Sequence, residues 1–231
     1  MSGPLAGRVA VITGASRGIG AAVSCALSGA GARVVRLARS LPERVEPWGL
    51  DLPCDVTDAA QVAGAAERIA REVGRPAVVV NNAGSFLLAP LADTTPAQFD
   101  AQLAVNLRGP FLVAQAFLPL LKDGGGRHIL IGSIADHQAF PENAAYAASK
   151  FGARGLHEVL RAETRGTGVH CSLVSPGPTN TAIWDPVNPE ERPGFLPRSA
   201  MLTPEDVAQA VAFVATRPPH VDVDWLRLGP G

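Results

Sequence analysis

Short runs of branched apolar residues alternate along this chain with longer stretches in which apolar positions recur every three or four residues. That alternation predicts strands and helices in turn. Val9 to Ile12 is the first run, and Ile19, Ala22, Val23, Ala26 and Leu27 follow at helical spacing until Gly29 and Gly31 end the helix. Val34 to Ala38 reads as a second strand and Leu50 to Cys54 as a weaker third. Asp58 stands at the N-cap of a helix whose buried stripe is Val62, Ala66, Ile69, Ala70 and Val73. Three further strands, Val78 to Val80, Ile129 to Ile131 and Val169 to Val174, are almost continuously apolar, as strands covered on both faces are. Helices are expected from Pro96 to Leu121 and from Tyr146 to Thr164. A last one has Thr203 as cap, Pro204 at its first position and Glu205-Asp206 in its first turn, and reaches Thr216 before an edge strand within Val221 to Leu228. The pattern predicts a single α/β domain over residues 1–231, a doubly wound parallel sheet of about seven strands with helices on both faces. Residues 180–200, holding Pro186, Pro189, Pro193 and Pro197, are too long for a plain connection and are expected to form a lid or substrate-binding loop.

A chain of 231 residues with 47% hydrophobic and 18% charged positions can bury one good core. Twenty Lys+Arg balance 21 Asp+Glu without runs of either sign, which excludes a nucleic-acid surface or a polybasic membrane patch. Met1 to Gly7 lacks the character of a signal peptide and no apolar stretch is read as long enough to span a bilayer, so a cytoplasmic protein is expected. Cys25, Cys54 and Cys171 have neither the number for a disulfide framework nor the spacing for a metal site, and no metal is expected. Only two of the 20 basic residues, Lys122 and Lys150, are lysines, and Tyr146 is the single tyrosine.

The turn after the first strand reads Thr13-Gly14-Ala15-Ser16-Arg17-Gly18-Ile19-Gly20. Glycines there let the backbone approach a ligand and leave N–H groups aimed at an anion, which suits the pyrophosphate of a dinucleotide; glycines in a turn also serve packing alone. The spacing is G-x-x-x-G-x-G, so it shares the mechanism of the common dinucleotide fingerprint but not its lettering. An acid at the end of the second strand would bind a ribose 2′-hydroxyl, but the chain has Ala38-Arg39-Ser40. Arg39 and Arg17 offer planar donors to a 2′-phosphate, which favours NADP(H) with NAD(H) still possible; the plain alternative is two solvated arginines. Asp55 and Val56 follow the third strand, where Asp55 either makes a turn or meets an adenine amino group. Asn81-Asn82-Ala83-Gly84 follows the fourth at the carboxyl edge, where ligands of open α/β sheets bind; Asn82, Ala83 and Gly84 are candidate cofactor contacts, or simply a turn.

Tyr146 and Lys150 lie four residues apart, on one helical face. A phenol becomes a usable acid–base group near neutrality when a fixed ammonium stabilises its anion, and a lysine retained in an arginine-rich chain fits that task. The alternative is an exposed surface pair. Ser133 closes the fifth strand, where it is a cap or a group projecting over the carboxyl edge. Asn106 falls on the apolar stripe with Phe99 and Leu103, so its amide either staples backbone or holds a water leading to Lys150.

With these motifs in this order, together with Pro176-Gly177, the sequence resembles the short-chain dehydrogenase/reductase family over essentially its full length. The resemblance implies a Rossmann-like fold and an NADP(H)-preferring enzyme. It implies that Tyr146 is the acid in carbonyl reduction and the base in alcohol oxidation, that Ser133 hydrogen-bonds the reacting oxygen, and that Lys150 holds the nicotinamide ribose and lowers the Tyr146 pKa. By the same resemblance Asn106 supports a relay water, Pro176 and Gly177 border the cofactor, and either Thr179 or Thr181 meets the carboxamide, because Pro178-Thr179-Asn180 departs from the usual pattern. The ending from Arg217 onward differs from that of 3-oxoacyl carrier-protein reductases and looks more like the branch acting on hydroxy acids, 3-hydroxy amino acids and simple ketones.

The expected activity is hydride transfer between NADP(H) and a small or medium, largely uncharged carbonyl or secondary alcohol. Ser133, Gln138, Phe140 and Trp184 are read as substrate-binding, with Ala135 and Phe195 nearby. The alternatives are reduction of 3-oxoacyl thioesters and a non-catalytic NADP(H)-binding regulator. Family resemblance also implies a homodimer or homotetramer formed through the long helices.

Overall fold

The computed structural model describes residues 2–46 and 49–231; Met1, the first residue of the expected domain, lies outside them, as do Pro47 and Trp48. Eight strands form one sheet: β1 (Val9–Thr13), β2 (Arg33–Leu37), β3 (Arg44–Glu46), β4 (Gly49–Leu52), β5 (Pro76–Asn81), β6 (Gly126–Ile131), β7 (Val169–Pro176) and β8 (Trp225–Leu228). Their spatial order is β3-β4-β2-β1-β5-β6-β7-β8, parallel throughout except for the β3–β4 hairpin. Helices α1 (Gly18–Gly29), α2 (Ala59–Glu72), α3 (Pro96–Leu103), α4 (Gly109–Lys122), α5 (Ala144–Thr164) and α6 (Pro204–Ala215) cover both faces.

Side-chain alternation along the strands makes two cores. Val9 and Val11 join Val35, Leu37 and Val79 beneath α2, α4 and α5, with Ile69, Phe117 and Leu121 driven into the layer. Ala10 and Ile12 face the other way with Val34, Val80 and Ile129, beneath Val23 and Leu27 of α1 and Val207, Val211 and Val214 of α6. Asp58 caps α2 by accepting from the amides of Ala60 and Gln61 at 2.9 and 3.1 Å, and Thr203 with Asp206 makes a capping box on α6.

Four expectations change. Among the described residues the sheet has eight strands rather than about seven, because Arg44-Val45-Glu46 adds an antiparallel edge strand whose sequence, charged at both ends, carries no apolar signal. The third expected strand ends at Leu52, ahead of Pro53, and the last begins only at Trp225. The helix expected over 96–121 runs unbroken to Lys122 but takes a π turn at Ala104–Arg108. Finally, Pro96–Lys122 is long and apolar enough, by length and composition, to cross a membrane; its Leu112, Val113, Phe117 and Leu121 are packed in the core beneath the sheet.

Phe117 is fully enclosed at the centre of the first core. Phe117→Ala is expected to cost about 3–5 kcal/mol, read as a lower urea midpoint at unchanged slope.

Candidate active site

β1 delivers Thr13 and Gly14 to the carboxyl edge of the sheet, and three glycines then do three different jobs. Gly14 (φ 64°) and Gly18 (φ 54°) adopt left-handed backbone, and a Cβ on Gly14 would stand 2.7 Å from the Ala83 Cα. A Cβ on Gly20 would come within 2.3 Å of the Gly14 carbonyl oxygen, so this glycine packs α1 against the turn. The N-cap residue Arg17 makes no side-chain cap, leaving the first N–H groups of α1 aimed out of the turn. Glycines in left-handed backbone and a helix start free of a side-chain cap fit a pyrophosphate.

Beside the turn, the Thr13 hydroxyl accepts from the amides of Asn82 and Ala83, both at 3.0 Å, while the Asn82 carboxamide donates to the carbonyls of Thr13 (2.9 Å) and Gly14 (3.2 Å). Asn81 is turned inward, donating to the Pro110 carbonyl and meeting His128 Nε2 at 3.1 Å. The Asp55 Oδ1 holds the amide and hydroxyl of Thr57, making the turn that its position allows.

A single cleft of about 1300 Å³ runs from the glycine turn across the sheet edge. Gly14, Ser16, Arg17, Gly18, Ile19, Arg39, Ser40, Asp55 and Val56 line one end, with Arg17 and Arg39 exposed at its mouth. Asn82, Ala83, Gly84, Ser133, Tyr146 and Lys150 line the middle, and Phe140, Pro176, Gly177, Thr179, Thr181 and Trp184 the far end. Three expected site residues are not in the lining. Gly20 is buried in its packing role, Asn106 lies behind the wall, and Gln138 is exposed outside the cleft because the 3₁₀ turn Ile134–Asp136 carries the chain away before Phe140 returns.

At the centre, the Ser133 hydroxyl accepts from the Ala135 amide at 3.1 Å and stands close enough to the Tyr146 phenol to act on its acidity. Loss of hydration pushes the phenol up to about 12, outweighing the downward pull of the Ser133 hydroxyl, and the Asp136 charge adds to the rise. The Lys150 Nζ donates to the Ile131 carbonyl at 3.0 Å and lies 5.8 Å from the centre of the Tyr146 ring. Desolvation brings this ammonium down to about 8, against the stabilising charge of Asp136. The expected lowering of the Tyr146 pKa by Lys150 is therefore not found in this geometry: burial acts on both groups, and each is held toward its neutral form.

The π turn places Asn106 where an α turn would not. Its Oδ1 accepts from the Ser85 amide at 2.9 Å, and its Nδ2 donates to the Ser85 carbonyl (2.9 Å), the Ser149 hydroxyl (3.0 Å) and the Gln102 Oε1 (3.3 Å). Ser149 in turn donates to the Tyr146 carbonyl at 2.7 Å. The carboxamide thus staples the Ser85 backbone and anchors α5 through Ser149.

The family model for short chain dehydrogenases matches residues 8–192. The chain belongs to the short-chain dehydrogenase family. Over 92% of its length it is 36% identical to a D-threitol dehydrogenase of Mycolicibacterium smegmatis, covering 87% of that protein. Its fold matches a metagenomic short-chain oxidoreductase crystallised in complex with NADP, with a TM-score of 0.80 and 33% identity over 97% of this chain and 98% of that one. It also matches an alcohol dehydrogenase from the archaeon Thermococcus sibiricus complexed with 5-hydroxy-NADP, with a TM-score of 0.84 and 28% identity over 96% of both chains. It is an oxidoreductase of the alcohol–carbonyl pair.

The far end of this short-chain dehydrogenase's cleft is aromatic. Phe86 meets the Tyr146 ring edge-on at 4.8 Å and lies 5.1 Å from Trp184, which is 6.4 Å from Phe195. Sequence reading missed Phe86; its signal was its place two residues after Gly84. Trp184 donates its indole N–H to the Thr179 carbonyl at 3.1 Å, and Arg192 pairs with Glu142 at 3.2 Å, tying the 180–200 loop to the segment before α5. That loop holds three short 3₁₀ turns rather than a plain coil. The Thr179 hydroxyl donates to the Gly177 carbonyl at 3.0 Å, whereas the Thr181 methyl lies 3.2 Å from where a Gly18 Cβ would stand. Of the two threonines, Thr181 is the one set against the glycine turn.

A buried ammonium whose pKa falls from 10.5 to about 8 binds fewer protons folded than unfolded, so stability from this group rises as pH climbs from about 8 toward 10.5. Lys150→Met is expected to remove that rise and to melt no lower than wild type at pH 7, while losing turnover; calorimetric melts across pH 7 to 10 check it.

Proposed function

We propose that this enzyme transfers hydride between NADP(H) and a neutral, largely apolar ketone, aldehyde or secondary alcohol, with NAD(H) as a weaker alternative. The observation that carries the reading is the convergence of the Ser133 hydroxyl, the Tyr146 phenol and the Lys150 ammonium on one cleft that begins at the glycine turn. Gly14, Ser16, Gly18 and Ile19 would hold the pyrophosphate, and Asp55 and Val56 would border the adenine. Arg17 and Arg39 would take the 2′-phosphate, Ala83 and Gly84 with Lys150 the nicotinamide ribose, and Pro176, Gly177 and Thr181 the carboxamide. When bound, that cofactor supplies the hydride chemistry. Ser133 orients the substrate oxygen by hydrogen bonding, and Tyr146 gives that oxygen a proton in reduction or removes one in oxidation. Asn106 acts from behind, fixing Ser85 and α5 so that Tyr146 and Lys150 keep their spacing.

The substrate end supports an apolar ligand, because Phe86, Phe140, Trp184 and Phe195 offer ring faces, while the nearby Arg192 and Arg198 are held in ion pairs with Glu142 and with Asp185 and Glu190 rather than offered to a highly anionic thioester carrier. We further infer a cytoplasmic homodimer or homotetramer. Phe111, Phe151 and Val159 leave apolar surface exposed on α4 and α5, beside a shallow cavity lined by Leu103, Leu107 and Leu156.

NADPH oxidation with a panel of neutral carbonyls is expected for wild type and to fall by about 10²–10⁴ in Tyr146→Phe, with NADPH binding retained. Turnover of an acyl-carrier thioester alone would favour 3-oxoacyl reduction, and biological activity undiminished in Tyr146→Phe would favour a regulator. Arg39→Ala is expected to weaken NADPH by roughly 10–100-fold and NADH little, measured by fluorescence titration.

A further inference from the structure

The 3₁₀ turn after β6 hides a carboxylate that the proposed chemistry does not use. Asp136 is completely buried, one turn from the catalytic hydroxyl. Its Oδ2 accepts from the Ser133 amide at 3.0 Å and from the Ser175 hydroxyl at 2.6 Å, and its Oδ1 meets His137 Nδ1 at 2.7 Å. The direction of the Ser175 bond is forced. The Trp225 indole N–H, a donor only, reaches the Ser175 Oγ at 2.9 Å, so the hydroxyl accepts there and turns its own proton onto Asp136. Oδ2 thus accepts two hydrogen bonds at once, from a main-chain amide and a hydroxyl. Gly132 makes room for it, since a Cβ there would lie 2.2 Å from Oδ2. Trp225 is itself held between Arg154, 4.3 Å from the ring centre, and Arg227 at 4.9 Å, and His137 packs edge-on against it at 5.2 Å.

Burying a formal charge with no Lys or Arg bonded to it costs several kcal/mol, a cost that a residue serving only to close a turn would avoid as Asn or Ser. We propose that Asp136 is a positioning residue of the reaction: it fixes the main chain that carries Ser133 and supplies the buried negative charge set against the Tyr146–Lys150 pair. The charged and titratable groups around it are His137 on its own turn, Tyr146, Lys150 and, beyond Trp225, Arg154 on α5, and Arg227 on β8; β7 contributes the Ser175 hydroxyl. The Asp136 charge raises the proton affinity of both Tyr146 and Lys150, which keeps the lysine cationic in a dry site and the tyrosine a proton donor. Arg227 stacks on Trp225, and hydrogen bonds run from Trp225 through Ser175 and Asp136 to the main-chain amide of Ser133, linking the edge strand to the turn that carries the Ser133 hydroxyl.

This role rests on the reading of Ser133 and Tyr146 as the reacting groups, and the test separates the two. Asp136→Asn can keep every hydrogen bond, its oxygen taking the two donors and its amide facing His137 in the other tautomer, so only the charge is lost. The pH midpoint of kcat/KM for alcohol oxidation is expected to move down by roughly half to one unit in Asp136→Asn, because removing a nearby anion eases phenolate formation. Trp225→Phe, which keeps the charge but frees the Ser175 proton, is expected to lower kcat several-fold with cofactor KM and pH midpoint unchanged. An Asp136→Asn profile that superimposes on that of active wild type overturns the role of Asp136 alone. No turnover by wild type with either cofactor overturns the reading of the site and this role with it. Should Asp136→Asn fail to fold, Trp225→Phe and Ser175→Ala decide: wild-type kcat and KM in both overturn the proposal, and a fall in kcat at constant KM supports it.

Discussion

The site depends on one threonine hydroxyl. β1 and β5 are neighbours in the sheet, yet the chain leaving β1 enters α1 on one face while the chain leaving β5 leads to α3 and α4 on the other. Strands that part this way open a crevice at their carboxyl ends. Thr13 keeps the opening to a fixed width by taking the amides of Asn82 and Ala83 on its Oγ1, and the Asn82 carboxamide returns the bond to Thr13 and Gly14. Two amides and two carbonyls at these strand ends are thereby satisfied by just two side chains, and the glycine turn is set against the β5 loop at a separation that excludes a Cβ on Gly14 or Gly20. The cleft is held by two side chains clamped onto main chain, and this is why it keeps its shape while its lining side chains vary in character from arginine to tryptophan.

Much of this was legible because the informative residues are scarce. A lone tyrosine four residues from one of two lysines is an arrangement that this composition seldom produces by chance; a glycine turn lies between an apolar run and a helical stripe, and an arginine stands where an acid would select NAD(H). Apolar runs located the central strands because both faces of the sheet are covered. The unreadable parts have a common cause. Arg44–Glu46 is a strand only because β4 offers it an edge, Gln138 misses the cleft because a 3₁₀ turn redirects three residues, and Phe86 matters only through rings far away in sequence. Asn106 was placed in the correct helix, but its partners are set by a π turn that no periodicity announces.

The electrostatics show a second limit. From sequence, an ammonium four residues from a phenol should make that phenol more acidic; in the folded chain the same burial that brings them together acts on each separately, raising Tyr146 and lowering Lys150. Which influence wins is decided by the dielectric around the pair and by a third charge, Asp136, whose identity as a buried group could not be seen before the turn after β6 was traced. Elsewhere in the scaffold the same rule gives a quieter result: His128, enclosed beside Asn81, is driven down to about 3 and is a neutral strut.

The π turn at Ala104–Arg108 has a consequence for how this segment can change over generations. A π turn holds about one residue more than the α turn it replaces, so α3 and α4 run out of phase by about 100°. Losing a single residue there would restore an ordinary helix, yet it would swing either the Ser85 staple or the buried Phe117 face to the wrong side. Substitutions along this helix can be absorbed one at a time, whereas its residue count cannot drift: the length of the stretch is as much a part of the inherited message as its spelling.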